Sequence, residues 1–161
     1  MAGTAALTMA LVAVASLLFG IGAWRDYLGD TLPLLGQLER FGTGPFMYMV
    51  PSAFMALRLL TGNGDLALLL HLGFATVVGI IVLVRLWQVN DPVRRAALVM
   101  IATALMTPYL HNYDLVVVLC GALLVGVLVA VALILPNAVV TLNALGIPVS
   151  PLLILPLLFL A

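Results

Sequence analysis

Residues 65–87 read DLALLLHLGFATVVGIIVLVRLW, an apolar run broken only by His71, Thr76 and two glycines, with Asp65 at its start and Arg85 near its end. At 1.5 Å of rise per residue such a run makes a helix of about 34 Å, enough to cross a hydrocarbon layer of roughly 30 Å. Gly62-Asn63-Gly64 supplies a turn signal immediately before it, and Asp65 places a carboxylate at the positive end of the helix dipole. The stretch predicts a transmembrane helix, and the fold class follows from it: an all-α integral membrane protein.

Working outward, the rest of the chain repeats the pattern. Of 161 residues 65% are hydrophobic and 7% are charged, too few charges to cover a water-exposed surface. About five apolar runs predict transmembrane helices over 4–23, 65–87, 93–107, 114–135 and 138–161, forming one helical domain over 1–161. Met1 to Thr4 carry no positive charge ahead of the first run, so it is read as a retained helix and not as a signal peptide. It ends at Trp24-Arg25-Asp26-Tyr27, aromatic and charged residues suited to a bilayer boundary.

Residues 24–46 mix five charges with Pro33, Pro45 and several glycines, which predicts an extramembrane loop, with Leu32, Leu34, Leu35 and Leu38 able to form one interfacial turn within it. Residues 47–60 are apolar apart from Tyr48, Ser52 and Arg58 and extend only about 21 Å as a helix, which predicts a short interfacial or re-entrant element. In the last stretch Gly146, Pro148, Pro151 and Pro156 predict a kinked span or two half-helices.

Formal net charge is zero, lysine is absent and the six arginines are scattered, which excludes a nucleic-acid partner. Cys120 is the only cysteine, which excludes an intramolecular disulfide and a multi-cysteine metal site. No metal-ligand pair or nucleophile motif is present, and Gly42 and Gly44 lack the basic residue of a phosphate-binding loop. Arg85, Arg94 and Arg95 flank a short linker, the densest basic patch, and the excess of arginine on cytoplasmic loops predicts that this loop is cytoplasmic. The turn one helix later, with His111 and Asp114, is then external.

That turn is the stretch that stands out chemically. TPYLHNYD, 107–114, sets an imidazole, an amide, a carboxylate and two phenols between two hydrophobic helices, where polar groups are costly. The preceding helix, about 15 residues and 22 Å, stops short of a full crossing, so the cluster is expected beneath the outer surface. Two readings stand side by side: Asn112 or Asp114 simply caps the next helix, or Tyr109, His111, Tyr113 and Asp114 line a site. His71 is read either as a satisfied core histidine or as a functional one. Arg58 is read either as gripping a lipid phosphate or as reaching out to headgroups.

The segment 102–115, ATALMTPYLHNYDL, resembles the signature of bacterial glycosyltransferase family 87-like membrane proteins. The likeness extends back through Arg94-Arg95-Ala96-Ala97-Leu98 and Arg58-Leu59-Leu60-Thr61-Gly62, and covers roughly residues 20 to 160. The resemblance implies the GT-C class of hexosyltransferase, which moves a sugar from a polyprenyl-phosphate donor to a lipid or glycan acceptor at the outer face of the bacterial inner (plasma) membrane, with no cofactor or metal. It implies an inverting displacement, a carboxylate serving as general base and cations stabilising the departing phosphate. Tyr109 and Tyr113 then face the substrate, Arg58 the lipid phosphate, and Asp114 with His111 support catalysis. The family's principal carboxylate lies in the first external loop of a longer chain. The resemblance therefore implies a C-terminal portion with an N-terminal remainder as partner, and gives no catalytic role to Asp26 or Asp30. The competing reading is a noncatalytic membrane bundle that binds lipid or a partner subunit. A proton relay or small transporter needs ionisable groups through the depth of the bilayer, and only His71 lies there.

Overall fold

A computed structural model of the chain describes residues 2–126 and 136–161. All regular elements among them are helical, and the chain forms two compact units, Met1–Glu39 and Arg40–Ala161.

The first unit begins with α1 (Ala2–Phe19), which stops at Gly20, where φ of +81° requires a residue without a Cβ. The chain resumes as α2 (Ile21–Asp26), a π-helical turn (Tyr27–Thr31) and α3 (Leu32–Phe41). The stretch Ile21–Phe41 is bent 107° from Ala5–Phe19. The Trp24 indole Nε1–H donates to Ser16 Oγ at 2.8 Å, and that hydroxyl donates to the Val12 carbonyl at 2.7 Å, pinning the elbow.

The expectation of a loop over 24–46 is corrected here, because most of that segment is helical. Pro33 was read as a breaker; the π turn ahead of it, closed by Leu32 N–H on the Tyr27 carbonyl, widens the backbone where the proline ring would clash with a preceding carbonyl.

In the second unit a 3-10 turn (Pro45–Met49) leads to α4 (Ala53–Thr61). Val50 between them is extended, the conformation imposed on a residue that precedes proline, so 47–60 is not one continuous helix. Ser52 caps α4 by accepting from Met55 N–H at 3.0 Å, and Gly62 ends it with φ of +67°. Asn63 Oδ1 then accepts from the N–H groups of Asp65 and Leu66, both at 3.0 Å, and starts α5 (Gly64–Gln88). A Cβ on Gly64 would lie 2.3 Å from the Arg40 carbonyl oxygen, so only glycine permits this close approach.

At the far end Asp91 Oδ1 accepts from Val93 N–H at 3.0 Å and Pro92 occupies the first position of α6 (Pro92–Met106), which needs no N–H. After a 3-10 turn (Asn112–Asp114) comes α7 (Leu115–Leu124), then α8 (Pro136–Ala144), α9 (Ser150–Ile154) and α10 (Leu157–Leu160). The expected span over 114–135 coincides with α7 at its start, and its residues 127–135 lie outside the described ones. The final stretch is broken twice, after Gly146 at φ +76° and at Pro156, giving three short helices in place of a kinked span or two halves.

The core joins α5, α6, α7 and the last two helices through Val78, Val82, Leu98, Ile101, Leu115 and Leu158. A Cβ on Gly121 would lie 3.0 Å from Ile101 Cγ1 and 3.1 Å from the Ala97 carbonyl, so α6 and α7 cross closely through small residues. The α5 helix is the one helix among the described residues long and apolar enough to cross a membrane, with the bent pair Ala5–Phe19 and Ile21–Phe41 a second only if taken as one span. The five expected crossings are not all formed by the described helices, because α6 stops before Pro108 after 15 residues and α7 has 10. Leu66, Leu69, Leu72, Val77, Ile80 and Leu83 of α5 are exposed, an apolar face with no partner among the described residues.

Candidate functional site

The site residues gather where α6 ends. The last four carbonyls of a helix lack intrahelical partners, and at this end His71 of α5 supplies one. Its Nε2–H donates to the Met106 carbonyl at 3.1 Å, since a carbonyl only accepts; this ties the middle of one helix to the end of the next. The ring is 1% exposed, and its Nδ1 is buried with no hydrogen-bond partner among the described residues.

Two aromatic clusters hold the turn that follows. Phe54 of α4 stands edge-on to His71, with ring centroids 6.3 Å apart at 79°, and to Tyr109, 6.4 Å apart at 75°. Phe46 of the 3-10 turn stands edge-on to His111, 6.0 Å apart at 62°, and His111 stacks on Tyr113 at 5.2 Å and 11°. Asp114 closes the segment: its Oδ2 accepts from His111 N–H at 2.9 Å, while its own N–H donates to the His111 carbonyl at 3.0 Å. The carboxylate thus binds one end of the turn and lies at the start of α7, where the exposed amides favour negative charge.

The Asp114 side chain makes no cap bond to α7; it closes the 3-10 turn instead, and the same geometry brings His111, Tyr113 and Asp114 together, with Tyr109 on the neighbouring ring of Phe54. Tyr113 is exposed at 71%, and His111 and Asp114 are half-buried, so the stack opens outward. Arg58 lies elsewhere on α4. It is buried, and its guanidinium donates to the Gly42 carbonyl, so its placement is fixed by the backbone ahead of α4 and not by an exposed surface. Arg40 and Asp65 pair at 3.5 Å in the open.

Phe46 and Phe54 were not singled out from the sequence, although they hold the turn. The available signal was their position in the short apolar segment before Gly62, but an apolar ring in such a segment has many equivalent partners.

The class defined by these features is an all-helical protein with an exposed apolar helix of membrane-crossing length and a polar aromatic turn at a helix end. The chain belongs to Glycosyltransferase family 87, whose family model matches residues 1–108. Members of this family are membrane proteins with glycosyltransferase activity. The match begins earlier than the roughly 20–160 read from the sequence and ends at Pro108, so Arg58 and His71 lie inside it and Tyr109, His111, Tyr113 and Asp114 beyond it. No curated protein and no solved structure matches the chain.

Proposed function

We propose that the chain is the C-terminal portion of a bacterial inner-membrane enzyme of the GT-C class, transferring a sugar from a polyprenyl-phosphate donor to a lipid or glycan acceptor at the outer face. The observation that carries this reading is the fixed turn after α6, where the His111–Tyr113 stack and the Asp114 carboxylate stand together. Family membership makes sugar transfer the chemistry in view, and this turn gathers groups able to hold hydroxyls and move protons.

In this reading the chain crosses the membrane about five times. The loop with Arg85, Arg94 and Arg95 is cytoplasmic, by the excess of arginine on that side. The turn is then external, and since α6 rises only about 22 Å it lies below the headgroups. Asp114 and His111 position an acceptor hydroxyl, and Tyr109 and Tyr113 face the sugar. Arg58 supplies positive charge toward the departing lipid phosphate, and burial supports that role because a charge held away from water acts more strongly on a neighbour. The principal general base comes from the N-terminal remainder.

The test is transfer from a labelled polyprenyl-phosphate sugar in liposomes, by this chain alone, by the chain extended through its upstream coding region, and by the extended form carrying Asp114→Asn with His111→Ala. Transfer by the extended form, reduced about 100-fold by the paired substitution, is the expected result. Absence of transfer in every form, with folding and orientation verified, overturns the reading in favour of a noncatalytic bundle that binds lipid or a partner subunit. The apolar groove of about 360 Å³ lined by Ala53, Leu57, Leu60, Phe74, Pro148 and Leu152 favours that second reading.

A further inference from the structure

We propose that the cleft between α6 and α7, beside the turn, is a subsite for a single sugar ring, which Thr103, Thr107 and Asp114 hold by accepting hydrogen bonds from its hydroxyls. The cleft has a volume of about 260 Å³ and is lined by Thr103, Ala104, Thr107, Leu110, Asp114 and Val117. That lies below the roughly 300–1,000 Å³ of pockets for drug-sized ligands, so its occupant is one small ring.

Its hydrogen-bonding character follows from the helix. Thr103 Oγ1–H donates to the Val99 carbonyl at 2.8 Å, and Thr107 Oγ1–H donates to the Thr103 carbonyl at 2.7 Å. Each hydroxyl has one proton, and both are already committed to the backbone, so what these two cleft-lining side chains have left to offer an occupant is lone pairs. An ionised Asp114 is also acceptor-only, and its Oδ2 already receives His111 N–H. A ligand that fits three acceptors must bring donors.

Charge and spacing narrow the class. A phosphate is repelled by the carboxylate and brings no donor at neutral pH, so the donor's phosphate belongs elsewhere. An ammonium group brings donors but is compact. It leaves the apolar part of the cleft uncovered, whereas a ring with hydroxyls along its edge covers both the acceptors and the apolar lining. Ala104, Leu110 and Val117 complete the cleft with an apolar wall for the C–H face of the ring.

The choice of a sugar over another polyol rests on the transferase reading, so the test measures binding and not transfer. The full chain in lipid nanodiscs is titrated with methyl α-mannopyranoside and methyl β-glucopyranoside, followed by saturation-transfer NMR, with ethanolamine and cyclohexanol as the cationic and single-hydroxyl comparators. At least one glycoside is expected to bind saturably and at least tenfold more tightly than either comparator. Thr103→Val with Thr107→Val is expected to weaken it tenfold or more, and Thr103→Ser with Thr107→Ser, which keeps both acceptors and serves as the folding control, to leave it within threefold. Absence of saturable glycoside binding, tighter binding of ethanolamine, or equal binding by the valine and serine pairs overturns the subsite. Transfer by the upstream-extended form with failure of these binding criteria overturns the subsite alone, and binding that meets them with no transfer by the extended form overturns the transferase reading alone.

Discussion

The two ends of the α5–α6 pair are built from the same kinds of residue and use them differently. At the linker end the polar groups serve the backbone: Asp91 caps α6, Arg95 Nη1 donates to the Leu86 carbonyl at 3.0 Å at the end of α5, and Arg85 Nη2 donates to the Phe159 carbonyl at 3.2 Å. At the other end capacity is left over. His71 Nδ1 and Asn112 Oδ1 are buried without partners among the described residues, against Arg85 Nε alone at the linker end, Tyr113 is exposed, and two threonines line a cleft. Native structures satisfy the great majority of buried polar atoms, so the two left over beside the turn are candidates for completion by a ligand or ordered water.

The largest expected effect tests whether the second end has any slack in its framework. Gly64→Ala sets a Cβ against the Arg40 carbonyl, backbone against backbone, where no side chain can swing aside. It is expected to destabilise the second unit by about 3 kcal/mol, at the upper end of overpacking costs, read as a lower unfolding midpoint in detergent. A loss under about 1 kcal/mol would mean that α5 and the segment before α4 separate freely, and that the turn is less rigidly held than its contacts indicate.

The next effect separates the ends by activity. Asp114→Asn with His111→Ala is expected to lower transfer by the extended protein about 100-fold, which corresponds to about 2.7 kcal/mol. Arg94→Ala with Arg95→Ala, once insertion and orientation are matched, is expected to leave it within threefold. Equal losses would erase the distinction between the ends.

A third expectation concerns His71. His71→Phe keeps an aromatic ring against Phe54 and Phe74 but removes the donor to Met106, leaving a buried carbonyl unsatisfied. The expected cost is about 2 kcal/mol. Amide exchange should also quicken over residues 107–114 more than over the linker 88–92, and uniform quickening would show that His71 serves the whole bundle and not the turn.

How far the sequence foretold this arrangement differs between the same regions. The bounds of α5 and α6 were legible to within a residue or so, because the Gly62-Asn63-Gly64 turn and Asp65 mark the start of α5 and polar segments bound both apolar runs. The gathering of polar and aromatic side chains over 107–114 was legible because polar groups between apolar runs are conspicuous. What was not legible depended on distant contacts or on compensation. The π turn that lets α3 run through Pro33 is a backbone adjustment with no residue signature. The link from His71 to Met106 joins positions 35 residues apart. Thr103 and Thr107 passed unnoticed because threonines in an apolar helix usually bond the preceding turn, as these do, and only the neighbouring Asp114 and the cleft give their remaining lone pairs a use.

The smallest effect probes the linker end itself. Asp91→Ala removes the acceptor that receives Val93 N–H but leaves Pro92 in place, so one amide at the start of α6 loses its partner while the backbone keeps its entry angle. The expected cost is about 1 kcal/mol, the ordinary value for a helix cap. Transfer and glycoside binding should stay within twofold, since α6 is anchored at its other end by His71 and along its length by the crossing at Gly121. A stability loss of that size with unchanged binding would place Asp91 wholly in the framework. A tenfold loss of glycoside affinity would instead mean that strain at the start of α6 reaches Thr103 and Thr107, making the two ends one mechanical unit.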